Sequence, residues 1–168
     1  MPLPRGVVPE TPGPGQESVW DYPRPPVLRS SSALVVIELG GVEVCRSTRG
    51  VQYLETSHPP SWYLPPEDWA PGALAPGEGS SVCEWKGVAS YLDVRGGDRV
   101  ERSAAWSYPA PTRAFAAIAG FVAVYPARMD RVTVDGEVVR AQEGGFYGGW
   151  VTDAVVGPFK GVPGSWGW

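Results

Sequence analysis

The chain has 168 residues, 22 of them glycine and 19 proline, yet 43% are hydrophobic, eight are tryptophan and 19% are charged. That much apolar and aromatic surface offsets the entropy of ordering a backbone, so wholesale disorder is excluded and a single loop-rich domain is expected. Net charge is −4 and the fourteen cations are scattered singly, which speaks against a general nucleic-acid binder.

Met1 to Gln16 carries five prolines, three glycines and no apolar period, and is read as a flexible arm. An ordered domain is expected over residues 17–143, opening with Ser18-Val19-Trp20-Asp21-Tyr22 and an extended Pro23-Arg24-Pro25-Pro26 path. Ala33 to Leu39, Gly40-Gly41 and Val42 to Arg46 predict a hairpin. Val51 to Glu55 predicts a strand, Thr56 to Pro60 a stiff loop, and Pro65 to Trp69 one helical turn. Val82 to Trp85 and Ala89 to Val94 read as strands around Lys86-Gly87, and Arg99 to Tyr108 as another. Pro111 to Ala119 is the best helix candidate, with Thr112 as its N-cap. Phe121 to Tyr125 resumes as strand, and Asp135-Gly136 predicts a hairpin within Arg131 to Val139. Residues 144–168 form a glycine-aromatic tail expected to pack on the domain. The fold class is mainly β: a compact antiparallel domain with one or two short helices.

The longest apolar stretch, Ala114 to Tyr125, is too short to span a bilayer, so no membrane partner is expected. Met1 to Gly6 shows no leader pattern, and Cys45 and Cys83 are read as thiols, which together give a cytoplasmic expectation. Two isolated cysteines and one histidine are too few for a zinc site, and no metal or other cofactor is expected. Asp135-Gly136-Glu137 has the spacing of a magnesium-binding carboxylate pair, but its tight turn explains it as turn chemistry. No phosphate-cradling G-x-x-x-x-G-K-[ST] loop occurs.

His58 is the only histidine and is read either as a loop residue whose ring caps a backbone group or as the acid–base or hydrogen-bonding group of a site, with Glu55 upstream as its orienting carboxylate. Ser57 is adjacent, but neighbours on an extended chain point apart, which argues against a Ser-His pair. Arginine occurs twelve times and lysine twice, in Trp85-Lys86-Gly87-Val88 and Phe159-Lys160-Gly161-Val162. In a chain that prefers arginine this suggests a role for a compact ammonium, at an anion or as a nucleophile, with chance and turn packing as the alternative. Trp62, Tyr63, Trp85, Trp106, Tyr108 and Tyr125 flank turns and are read as walls of an aromatic ligand cleft, with aromatic core as the alternative.

Five stretches together resemble one family: Glu17 to Pro26, Glu55 to Pro60, Cys83-Glu84-Trp85-Lys86-Gly87, Ala105-Trp106-Ser107-Tyr108-Pro109, and Ile118-Ala119-Gly120 through Tyr125-Pro126. The chain is similar over about residues 17 to 140 to the domain of unknown function 427 family, sometimes labelled nucleotidyltransferase-like. The resemblance implies a β fold of the Mss4-like, or β-tent, group and supplies no established catalytic residues. Phe121 and Val124 depart from the histidine and phenylalanine of many members.

Three functions follow as expectations: a small-molecule-binding domain, a metal-independent enzyme acting on a small anionic substrate through His58 and Lys86, and a protein-interaction module. A homodimer stays open. Glu55, His58, Lys86 and Tyr108 are expected to converge on one concavity if either of the first two is correct.

Overall fold

A computed structural model describes residues 2–168. Its strands fall in chain order as β1 (Glu17–Ser18), β2 (Val27–Ser30), β3 (Val35–Leu39), β4 (Val42–Ser47), β5 (Val51–Leu54) and β6 (Ser61–Tyr63). The long β7 (Leu74–Cys83), β8 (Gly87–Gly96) and β9 (Arg99–Ser107) follow, then β10 (Val122–Val124), β11 (Arg131–Val134) and β12 (Glu137–Val138). Then comes β13 (Arg140–Ala141), and the tail adds β14 (Trp150–Val151) and β15 (Val155–Val156). The protein is mainly β, and its helical residues lie in short 3-10 turns. No helix among the described residues is long and apolar enough to cross a membrane.

Three sheets carry the architecture: β10-β9-β8-β7, β12-β11-β3-β4 and β2-β5-β6. Every pair within them is antiparallel. The exception lies outside them, where β1 pairs in parallel with β15 and joins the chain's beginning to its tail. Ahead of β1, the Glu10 amide donates to the Gly157 carbonyl (2.8 Å) and the Gln16 side chain to the Asp153 carbonyl (2.8 Å).

The β3–β4 hairpin turns at Gly40 and Gly41, both with positive φ, and β3 alternates strictly between buried and half-buried residues. Its inward Val35, Ile37 and Leu39 are fully buried in the main core with Leu64, Val94, Val122, Val124, Trp62 and Trp150. The β11–β12 turn sets Asp135 and Gly136 at φ 47° and 83°, and the Asp135 carboxylate accepts from the Leu34 amide at 2.7 Å. That carboxylate is spent on the turn and its neighbour.

Three local expectations are corrected. The Pro111–Ala119 stretch forms only a 3-10 segment, Arg113–Ile118, interrupted at Phe115. Thr112 does not cap it: its hydroxyl donates to the Trp85 carbonyl (2.6 Å) and its amide to the Lys86 carbonyl (3.0 Å). β7 begins eight residues earlier than Val82, running through Pro76, Gly77 and Gly79. Proline is tolerated there because β7 is an edge strand, and the register shift between Pro76 and Ser80 absorbs the glycines.

Candidate functional site

Strand alternation puts a second, aromatic cluster on one face of the β7–β10 sheet. Tyr91 lies opposite Trp106, Trp106 opposite Ala123, and Ser81 opposite Ala89, so these side chains share that face. Val82 and Val88, the pair on the other face, are exposed. Across from the aromatic face stand Tyr53 and Tyr63, from β5 and β6 of the three-stranded sheet. The two faces do not close completely. They leave a cavity of about 380 Å³ lined by Glu55, His58, Tyr63, Trp85, Lys86, Trp106, Tyr108 and Tyr125, with Gln142 and the tail's Tyr147 and Lys160 at its side. Glu55, His58, Lys86 and Tyr108, distant in sequence, thus line one concavity.

Trp62 is the exception. It belongs to the main core, stacked on Trp150 at 5.7 Å between centroids and 19° between planes. The reason is the two-residue period of β6: Ser61 and Tyr63 face the cavity, and the residue between them must face away.

Lys86 is the unusual group. It lies in the three-residue loop joining β7 to β8, where a lysine would ordinarily be solvated, yet it is 7% exposed. The two bonds from Thr112 hold this loop against residues 110–112 and aim the side chain inward. Its Nζ sits 3.5 Å from the Tyr53 ring centroid, 5.3 Å from that of Tyr108 and 6.0 Å from that of Tyr63. The negative faces of these rings favour the cation. Among the described residues no carboxylate pairs with it within 4.0 Å. Burial therefore holds its pKa below the ordinary lysine value, with Cys83 and Glu55 nearby opposing the shift. Trp85, on the same loop and the same wall, has a buried indole N–H that finds no acceptor among the described residues.

His58 is fixed by its loop and by the tail. The Ser57 amide donates to the Val19 carbonyl (3.1 Å), and the Ser57 carbonyl accepts from the Lys160 backbone amide (2.9 Å). Ser57 itself adopts φ 74°, strained for a serine, and does not line the cavity. Gln142 orients the imidazole. Its Oε1 accepts from the Gly149 amide (3.1 Å) and its Nε2 donates to the Lys160 carbonyl (2.6 Å), which fixes the amide's direction. The same Nε2 lies 3.2 Å from His58 Nδ1, so Nδ1 accepts and the ring proton sits on Nε2. Burial, reinforced by the positive charges of Lys160, Arg24 and Lys86, pushes the His58 pKa down to about 3, and the ring is neutral at pH 7.

Glu55 is not the orienting partner expected from its spacing. Its Oε2 stands 3.9 Å from His58 Nε2, beyond hydrogen-bond reach, and pairs with Arg24 at 3.2 Å. Its Oε1 accepts from the Tyr53 hydroxyl at 3.1 Å. Arg24 is itself anchored on the Thr56 carbonyl (2.8 Å). The carboxylate is thus held rigidly at the cavity wall. Lys160, the other lysine, is half-buried, donates to the Trp168 carbonyl (3.2 Å) and lies 5.8 Å from the Tyr147 ring centroid.

Sequence reasoning missed Tyr53, Gln142 and Tyr147. Tyr53 was legible in principle, because it shares a strand face with Glu55. Gln142 and Tyr147 carry no periodic signal, and the clue in the tail is glycine. A Cβ on Gly148 would overlap the Trp106 ring, and one on Gly149 the Gln142 amide and Pro59. Close docking of the tail on the cleft requires both.

Among the described residues no three His, Cys, Asp or Glu side chains cluster. Cys45 is buried in the main core, where burial pushes its thiol up to about 12, and Cys83 is a free thiol lining the cavity.

A search of the curated proteins finds no match. A family model does match, over residues 26–135, a span that contains the aromatic face, the Lys86 loop, Glu55 and His58 but stops short of Gln142. The chain belongs to the family described as Domain of unknown function (DUF427).

Proposed function

We propose that the protein is a small-molecule-binding domain of β-tent type, working in the cytoplasm, whose cleft receives a small organic carboxylate. The observation that carries this reading is the Lys86 ammonium: 7% exposed, ringed by tyrosines and without a carboxylate partner among the described residues. An unpaired buried charge costs several kcal/mol, on the order that a bound counter-ion would offset. Aromatic walls around this cation suit an acid with a flat or apolar body.

Calorimetry and thermal shift with phenylacetate test the reading. Phenylacetate is expected to raise the melting temperature of the wild-type protein and to lose at least tenfold in affinity in Lys86→Met. Equal affinity in the two proteins, or no binding to either, would overturn it.

A second reading, a metal-independent enzyme acting on a small anionic substrate, is favoured by one pairing. Burial lowers the Lys86 pKa and leaves His58 a neutral imidazole in the same cavity. In that case the Lys86 amine would add to the carbonyl of a 2-oxo acid such as phenylpyruvate and expel water, giving an imine that borohydride reduces to a stable secondary amine. Intact mass after borohydride treatment separates an amine nucleophile from a cation that only binds.

A further inference from the structure

A second cavity, of about 460 Å³, adjoins the first and shares with it the side chains of Tyr91, Tyr125, Gln142 and Tyr147. We propose that the cleft's occupant is a two-part molecule: a carboxylate head at Lys86 and an uncharged, apolar body that passes Tyr91 and Tyr125 into this second chamber. The proposal rests on the carboxylate reading of the first cavity.

The second chamber is made by an irregularity that the fold does not otherwise use. Between Pro76↔Leu92 and Ser80↔Ser90, β7 has two residues more than β8, so Gly77, Glu78 and Gly79 bow out of the ladder. Gly79 adopts φ +96° with the Tyr91 ring 3.5 Å from where its Cβ would lie. The bowed segment, the Pro126–Arg128 turn, Ala141 and the tail's Gly145 then border the space.

Its charge inventory decides which end of the ligand enters. Arg128 is already engaged, donating to the Glu101 carboxylate at 2.9 and 3.1 Å and to the Arg102 carbonyl at 2.9 Å. Glu78, exposed at the rim, repels an anion. No free cation lines this chamber among the described residues, whereas the first holds Lys86 and Lys160 against Glu55, which Arg24 already pairs, and the exposed Glu84. The negative end therefore goes to the tyrosine cage. Pro126, Ala127, Ala141 and the tyrosine rings of the partition offer the remainder an apolar surface. Each chamber alone is near the lower end of the usual ligand-pocket range, and the pair takes a longer molecule.

Phenylacetate and 6-phenylhexanoate share a head and differ in reach, and calorimetry with both on wild type and Ala127→Trp tests the proposal. Ala127 is exposed on its turn and lines only the second chamber, so the indole fills that space without touching Lys86. In the wild type 6-phenylhexanoate is expected to bind at least tenfold more tightly than phenylacetate. Ala127→Trp should remove that advantage and leave phenylacetate unchanged, with Ala141→Phe as a second filler should the first fold poorly. Phenylacetate bound as tightly as 6-phenylhexanoate, or a tenfold advantage that survives both fillers, overturns the two-chamber proposal while the carboxylate reading stands. Failure of both acids to bind the wild type removes that underlying reading instead.

Discussion

Trp62 and Tyr63 are neighbours on β6, both almost wholly buried, and they belong to different bodies. Trp62 stacks on Trp150 among valines, leucines and isoleucine, in a core closed by shape. Tyr63 turns its hydroxyl toward the Trp106 indole, which donates to it at 3.2 Å, in a cluster that stays open around a cavity. The same degree of burial therefore serves two ends. One face excludes everything; the other arranges polar tips around a space.

The largest expected effect separates these faces. Trp62→Ala removes a stacked indole from the closed core and should cost about 3–5 kcal/mol in urea unfolding. Tyr63→Phe keeps the ring and strands the Trp106 N–H, which should cost about 1–3 kcal/mol. Binding of the phenylacetate probe should suffer only in the second variant, measured under conditions where both are folded. If Tyr63→Phe proves as costly as Trp62→Ala, the cleft face is simply more core.

Acid sharpens the contrast, since the closed core contains no histidine. His58, the chain's single histidine, is held to about 3 in the fold and titrates near 6.5 when unfolded. Between these values the unfolded chain binds the extra proton, so stability is full above about pH 6.5 and falls as pH drops toward 3. The loss between pH 6.5 and 5 should be about 2 kcal/mol. Glu17, Asp68 and Glu101 have carboxyl groups held below the usual range by arginines, and their contribution fades only near and below pH 4.5. The window from 6.5 to 5 thus belongs to His58. Chemical unfolding at stepped pH should show the slope in wild type and a flat line in His58→Gln.

The hairpins were legible because their turn residues have one cheap conformation: Gly40-Gly41 and Asp135-Gly136 both adopt positive φ. Convergence of Glu55, His58, Lys86 and Tyr108 was legible through the family resemblance and the odd lysine usage, since periodicity does not say which loops meet. Trp62 lies in the closed core and not on the cleft wall, which the sequence does not reveal because β6 is only three residues long, too short to show an alternation. The true partner of His58 was hidden for a different reason. Gln142 reaches the ring from a segment whose only local signal is glycine, and the glycines report contacts made 42 and 90 residues away, at Trp106 and Pro59. Thr112, by contrast, had a plausible local role as a cap and was diverted by the neighbouring Lys86 loop.

Lys86→Met makes the smallest and most discriminating change in stability. A lysine on a hairpin loop invites the expectation that its replacement leaves stability untouched, but Lys86 is buried and two effects compete there. The tyrosine faces stabilise the ammonium by about 2 kcal/mol or more, as for a desolvated cation–π contact. Loss of hydration opposes this, and the pKa lies below the ordinary lysine value, so desolvation wins. Methionine keeps much of the side-chain volume and carries no charge, so the variant should melt above wild type at neutral pH. The sign also fixes a pH dependence. With the folded pKa depressed, the unfolded chain holds the extra proton between that value and 10.5, so the wild type regains stability as pH rises through this window. The advantage of Lys86→Met should accordingly narrow toward pH 10.5, read by scanning fluorimetry on the two proteins side by side. A variant that melts below wild type at neutral pH would mean that the cage needs its cation to hold the fold. The open face would then be a second core, closed by charge instead of shape.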